Sequence, residues 1–398
     1  MARVRVPIAM TRTDRWLIGL IALAVSAVTG AVYLSEPIVA PPRPRLSDSK
    51  RSTIGLVART ADDGVRVARA AGSAREAGLR AGDRIVSIDG RPAKAIVDLA
   101  AALDAAAEGQ MIRIEALRGQ PNDAGLPILA EVKVVTRNVS PADEGLPYEE
   151  LSFRNADGLT LRGWYLPPPA EGPGRAPAIA YGHGNATDRR DWLSVALAVH
   201  EAGFAQMLFD FTGRGESDGE VITLGAREAT DLRSALDVLT ARPEVDPMRL
   251  ALVGRSMGAV AALYLAAEDA RVKALVLDSP FAELGPVVDR VIASYHLPAS
   301  LLRPILFEIA GWRAHYAPGA VRPIDAIRKI KVPILLFHGD RDELVPFTDA
   351  LALKAAAGGP LTLVPLAGLD HDTPRPAAYQ DQIVQFLTQS MSSSRRTP

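Results

Sequence analysis

The chain has 398 residues, too many for one typical hydrophobic core, so two or three folded units are expected. With 48% hydrophobic and 23% charged residues and a formal charge of -1, it lacks the basic footprint of a nucleic-acid binder. It contains no cysteine, which excludes disulfides, thiolate metal sites and a cysteine nucleophile and leaves the compartment open.

The first 34 residues set an address. Arg3, Arg5, Arg12 and Arg15 precede an uncharged apolar run, Leu17 to Leu34. About eighteen helical residues at ~1.5 Å each span ~27 Å, close to a hydrocarbon core. Positive charge before the run keeps the amino end in the cytoplasm and places the rest on the exported side, periplasmic or extracellular. Cleavage as a signal peptide at Val25-Ser26-Ala27 competes with this single-pass anchor, but the run is longer than most signal cores. Residues 35–51 carry Pro37, Pro41, Pro42 and Pro44 among polar residues, and read as an extended linker.

A compact α+β unit is expected over 52–137. Strand-like runs fall at Ile54–Val57, Val65–Ala68, Arg84–Ile88, Met111–Ala116 and Ile128–Val135, with a helical stretch at Ile96–Ala107. Gly82-Asp83 and Asp89-Gly90 mark turns. The segment from Gly72 through Gly78, Gly82-Asp83 and Ile88-Asp-Gly90, followed by the helix, resembles a PDZ domain of the bacterial, protease-associated type. That resemblance implies a loop at Ile54, Gly55 and Leu56 whose amides hold a peptide carboxylate. The bound peptide then adds a strand beside Leu56–Arg59 and rests on Leu99 and Leu103.

After a second linker (138–147), strand and helix signals alternate over 148–389. Tyr148–Arg154 and Leu159–Tyr165, around Asp157-Gly158, read as an antiparallel hairpin. Ala176–Tyr181, Gln206–Phe211, Leu250–Val253, Val272–Leu277, Pro333–Phe337 and Leu361–Leu366 read as buried strands, and Arg190–Ala202, Ala226–Leu239 and Gly258–Ala267 as amphipathic helices. This pattern predicts a mostly parallel sheet with helices on both faces. Between 281 and 321 the alternation lapses, and helices at Val287–Tyr295 and Leu301–Trp312 read as a small cap. Residues 390–398 read as a disordered tail.

Chemistry enters at Gly254-Arg255-Ser256-Met257-Gly258, which joins an apolar strand to an alanine-rich helix. A serine on so tight a turn projects its hydroxyl above the sheet, and glycines two residues either side relieve the crowding. The helix amino terminus beneath it favours an oxyanion. Of six histidines, His371 alone lies in a loop between a last strand and a final helix, the place for a general base. His200 and His338 are assigned to packing, His296 and His315 to the cap, and His183 to a loop upstream of the serine. The orienting carboxylate is expected after Pro333–Phe337, where Asp342 reaches across to the next loop better than Asp340. Asp370 and Asp372 read as solvated loop charges.

His183-Gly-Asn185, Asp210-Phe-Thr-Gly-Arg-Gly-Glu-Ser217, Gly254-x-Ser256-x-Gly258, Gly339-x-x-Asp342-x-x-Val-Pro346 and Gly368-x-x-His371 occur in this order. With them the stretch from Glu149 to Leu387 resembles the α/β-hydrolases, in the serine aminopeptidase-like or monoacylglycerol lipase-like branch. The resemblance implies an oxyanion hole made by the backbone amides of Asn185 and Met257. The expected activity is cleavage of carboxylic esters or amides through an acyl-enzyme on Ser256, with His371 and Asp342 and no metal or other cofactor. A peptidase acting like an aminopeptidase stays open beside the esterase, and so does a tethered PDZ interaction protein without catalysis. The expected partners are the ester or peptide substrate, a peptide carboxyl terminus at the PDZ unit, and the membrane.

Overall fold

In a computed structural model, the protein is described from residue 51 to 392, apart from 54–55, 62–63, 71, 95–97, 100–101, 103–108, 120–124, 134, 138–139, 170–173 and 374. The expected anchor at 17–34 and the first linker up to residue 50 lie outside the described residues, while Arg51, expected in that linker, opens a short strand. Among the described residues no helix is long and apolar enough to cross a membrane.

The first unit is built on a sheet whose strands lie in the order Leu56–Ala61, Gly64–Ala70, Arg84–Ile88, Met111–Arg118 and Leu126–Lys133, with Arg91–Pro92 paired to the third. Its pairings are antiparallel. Alternation makes the core: Ile112, Ile114 and Ala116 point inward with Ala130 and Val132, while Met111 and Glu115 face out. Asp83 is 1% exposed, and Arg118 binds it through Nε and Nη2, both at 2.8 Å, which fixes the turn the Gly-Asp pair announces. Arg51–Thr53 pairs with Val135–Arg137 as a separate two-stranded ribbon.

Among the described residues the second unit holds eight strands: β1 (Glu149–Arg154), β2 (Thr160–Leu166), β3 (Ala176–Gly182), β4 (Ala205–Phe209), β5 (Val245–Arg255), β6 (Val272–Asp278), β7 (Ile334–Gly339) and β8 (Leu361–Leu366). They lie in the order β1-β2-β4-β3-β5-β6-β7-β8. β2 runs antiparallel to both β1 and β4, and the other pairs are parallel. Its helices are α1 (Leu193–Glu201), α2 (Glu228–Thr240), α3 (Met257–Glu268), α4 (Leu284–Ser294), α5 (Ala299–Ala314), α6 (Pro323–Ile327), α7 (Phe347–Ala356) and α8 (Ala377–Met391).

Consecutive residues of the central strands serve opposite cores, which is why these strands read as continuous apolar runs. Leu250 and Leu252 pack with α2 and α3, whereas Ala251 and Val253 pack with α1 and α8. β5 starts at Val245, earlier than its apolar run, and its register to β3 and β6 shifts near Leu250. Charged Asp246 and Arg249, with Pro247 between them, hid this bulged start, because they satisfy no strand periodicity. Two boundaries depart from expectation. Leu146, placed in the second linker, is 3% exposed and packs in the same core as Trp164. Ser390 and Met391, expected in the tail, belong to α8, and residues 393–398 lie outside the described residues.

Candidate active site

Parallel strands end together, so the loops after β3, β5, β6, β7 and β8 gather at one edge of the sheet. Gly182 pairs with Gly254 and Arg255 with Asp278, so three loops leave from one level. At the end of β5 the chain turns sharply into α3. Ser256 takes φ 50° and ψ -116°, a conformation strained for a residue with a side chain, and its amide donates to Asp278 O at 2.8 Å. The turn closes only because its neighbours lack side chains. A Cβ on Gly254 comes 2.5 Å from Gly258 O, and one on Gly258 collides with Gly182 O.

That contact brings the loop after β3 against the start of α3. His183 is buried, and its Nε2 accepts from the Phe211 amide at 3.0 Å, so the ring proton sits on Nδ1 and donates to Gly184 O at 2.7 Å. Asn185 follows, its Oδ1 accepting from Arg214 Nη2 at 2.5 Å. Arg214 is fully buried in a loop wound around Asp210, whose carboxylate accepts from the amides of Arg189 (2.8 Å) and Glu216 (2.9 Å). Burial raises the Asp210 pKa, against the pull of Arg189. The Asp-Phe-Thr-Gly-Arg-Gly-Glu-Ser segment is thus the support of the Asn185 loop. Met257 opens α3 and is 1% exposed, so its amide lies at the helix's positive end.

On the other side, β7 and β8 deliver the remaining groups. The Asp342 side chain is fully buried; its Oδ1 accepts from the Val345 amide at 2.7 Å and its Oδ2 from His371 Nδ1 at 2.6 Å. With that proton on Nδ1, His371 Nε2 accepts from Ser256 Oγ at 3.1 Å. Ser256, His371 and Asp342 therefore form one hydrogen-bonded line, from residues 115 and 29 positions apart. Asp340 does not enter it: its Oδ1 accepts from the Gly368 amide at 2.6 Å and ties the two loops together.

Several groups act here that sequence reading assigned elsewhere or passed over. Asp370, expected as a solvated charge, accepts from the amides of His371 (2.7 Å) and Glu343 (3.2 Å) and so bridges the loops that carry His371 and Asp342. Asp372 pairs at 3.2 Å with Arg255, whose Nη2 also donates to His371 O at 2.7 Å. Arg375 grips Asp278 through two bonds of 2.8 Å and reaches His371 O at 3.2 Å. Burial works to raise the Asp278 pKa, yet Arg375 overcomes it and holds the carboxyl below its ordinary value. Asp278 thus joins the serine turn, through its carbonyl, to the histidine loop, through its carboxylate. His338 fits its packing assignment in being wholly buried, but its Nε2 also donates to Val345 O at 2.7 Å. The Arg255–His371 and Arg375–Asp278 pairs join residues 116 and 97 positions apart, and no local pattern announces them.

A cavity of about 660 Å³ lies in the cap, lined by Glu283, Arg303, Phe307, Glu308 and Arg322 among others. It contains none of Ser256, Asp342 and His371. Among the described residues no cluster of His, Asp or Glu side chains is placed to hold a metal ion.

An uncharacterized protein of Mycobacterium tuberculosis is 35% identical to this chain over 237 residues, 59% of this chain and 77% of that protein. The serine aminopeptidase (S33) family matches residues 176–320. The chain belongs to that α/β-hydrolase family. A PDZ domain is matched at 64–118, within the first unit. The Schizosaccharomyces pombe protein bem46 is 28% identical over 222 residues, covering 55% of this chain and 69% of that one. An esterase of Pyrococcus furiosus shares the fold, with a TM-score of 0.52 at 23% identity over 65% of this chain and 96% of the esterase.

In the PDZ domain, Ile54 and Gly55 of the expected carboxylate loop lie outside the described residues, as does Leu103. Leu56 opens the strand at one end of the sheet order and pairs with Ala70. Leu99 departs from its expected place on a peptide-binding face: at 4% exposure it belongs to the domain core.

Proposed function

We propose that this protein is a serine hydrolase that cleaves carboxylic ester or amide bonds through an acyl-enzyme. The observation that carries the reading is the continuous line Asp342–His371–Ser256, at 2.6 and 3.1 Å, ending on a strained serine at a helix amino terminus. Ser256 Oγ attacks the acyl carbon as its proton passes to His371 Nε2. Asp342 keeps the other ring proton on Nδ1 and stabilises the imidazolium. The amides of Asn185 and Met257 receive the oxyanion. His371 then protonates the departing alkoxide or amine, and water, activated by the same base, releases the acid.

An ester substrate leads and a peptide substrate follows, the latter favoured by membership in the aminopeptidase family. The arginine-flanked apolar run at 17–34 supports single-pass anchoring with both domains on the exported side. The PDZ domain, whose edge strand 56–61 offers a template for an added strand, supports recognition of a peptide or protein.

The test is a substrate panel on the full chain in detergent: p-nitrophenyl esters of increasing acyl length beside aminoacyl and peptidyl p-nitroanilides, with Ser256→Ala as control. Turnover of either class that disappears in the variant supports the proposal and names the substrate. No turnover of any by folded wild-type protein counts against it.

A further inference from the structure

The outer surface of the cap carries exposed apolar side chains beside charged ones such as Glu308 and Arg303. α5 shows water the side chains of Leu301, Ile305 and Trp312 at 68%, 44% and 78% exposure, along one helical stripe that exposed Glu308 interrupts between Ile305 and Trp312. Beside them, Tyr295 (63%) and Leu297 (37%) project from the turn between α4 and α5. From Val291 to Leu302 the sequence holds no Asp, Glu, Lys or Arg, and His296 and Pro298 in this tip are exposed as well. Buried faces do not explain these side chains, because the cap core is already filled by Leu284, Val288, Ile292 and Leu306. Five exposed side chains fall well short of the roughly 20–30 residues a side that a stable protein interface uses. Tyr and Trp beside aliphatic residues are instead the composition of a surface half-sunk in a lipid interface.

The chain outside the described residues brings such an interface near. Residues 17–34 are an apolar run of spanning length; roughly seventeen linker residues at ~3.1 Å each let the PDZ unit range ~50 Å from it, and the hydrolase unit follows one short linker later. A hydrolase unit of this size is about 45 Å across. A tether of that reach keeps the cap at high effective concentration over the bilayer.

We propose that the α4–α5 tip docks on the lipid bilayer in which the chain is anchored, with Leu297, Leu301 and Ile305 in the acyl region and Trp312 at headgroup level. This rests on the anchoring reading above. The contact around 297 and 301 is apolar, since residues 291–302 hold no Asp, Glu, Lys or Arg, and is therefore insensitive to salt. α4 is also bonded to the acid loop, Arg290 Nε donating to Leu344 O at 2.8 Å, so docking turns that edge of the active site towards the membrane.

Because the chain has no cysteine, single spin labels test this cleanly. Leu297→Cys and Leu301→Cys, with Val25→Cys and Met248→Cys as references, are labelled in full-length protein in phosphatidylethanolamine–phosphatidylglycerol vesicles. Collision with oxygen and with a water-soluble nickel chelate is then measured. The expected result is oxygen exceeding nickel several-fold at 297 and 301, at low and high salt, and the reverse at 248. Lipid signatures at 25 with free nickel access at 297 and 301 overturn the docking and leave anchoring standing. Exclusion of both reagents at 297 and 301 overturns it in favour of a protein partner. Nickel access at 25 together with lipid signatures at 297 and 301 supports docking and sinks the anchor. Covalent reaction of each labelled protein with a fluorophosphonate shows that it is folded.

Discussion

Replacing Gly258 by alanine is the sharpest perturbation the site offers. In an ordinary helix the change helps, by about 1 kcal/mol. Here the new methyl collides with Gly182 O and sits 2.7 Å from His183 O, and both obstacles are backbone. The loop after β3 and the start of α3 must part. Overpacking of this kind costs about 1–3 kcal/mol, which exceeds or offsets the helical gain. The larger effect is chemical, because separation pulls the Asn185 amide away from the Met257 amide. Losing one oxyanion donor lowers kcat by about 10²–10³, or ~3–4 kcal/mol of barrier. We expect kcat on the best ester of the panel to fall by that factor with KM little changed, and the urea midpoint to fall modestly. Gly285→Ala on α4 is the stability control: its nearest obstacle is the Arg303 guanidinium at 3.4 Å, and it leaves the midpoint unchanged or raised. Wild-type kcat and stability in Gly258→Ala would refute the close approach of the two loops.

Asp342→Asn keeps the shape of the acid loop but lets His371 hold its proton on either nitrogen, so kcat is expected to drop by about 10⁴ with the melting temperature shifted by only a few degrees; a loss below tenfold contradicts the orienting role. Arg375→Met leaves Asp278, 1% exposed, as an uncompensated buried carboxylate and is expected to cost about 3–5 kcal/mol in denaturant titration at neutral pH. The Asp278 carboxyl titrates below its ordinary value in the fold, so its stabilisation is present at neutral pH and lost as pH falls through that value. The variant is accordingly expected to lose less stability on acidification than the wild type. Asp231 carries the opposite sign: burial raises its pKa to about 6, so it binds its proton more tightly folded than unfolded. Stability is expected to fall by on the order of 3 kcal/mol as pH rises from about 4 to above 6, and Asp231→Asn flattens that slope.

Much of this was legible in the residues, for physical reasons that differ along the chain. β3, β6 and β7 announced themselves because both faces of the sheet are buried there, so most positions are apolar. The expected ends of Arg84–Ile88 and Leu361–Leu366 match the structure because turn residues bracket them. Ser256 was readable because a local strain needs local glycines. What could not be read is contact between distant residues: Arg255 and Arg375 clasping the His371 carbonyl, or Asp370 bridging two loops. Asp370 looked like any loop carboxylate, since its partners are backbone amides, which leave no trace in sequence. Leu99 shows the converse, since a helical periodicity tells which residues share a face but not whether that face meets a ligand or the core.

The most direct test is to treat the full chain with a fluorophosphonate and locate the adduct by intact-mass and peptide mass spectrometry. A single stoichiometric phosphonylation on the peptide holding Ser256, abolished in Ser256→Ala and much slowed in His371→Ala, is the predicted outcome. Folded protein that stays unmodified, or carries the adduct on another residue, contradicts the account.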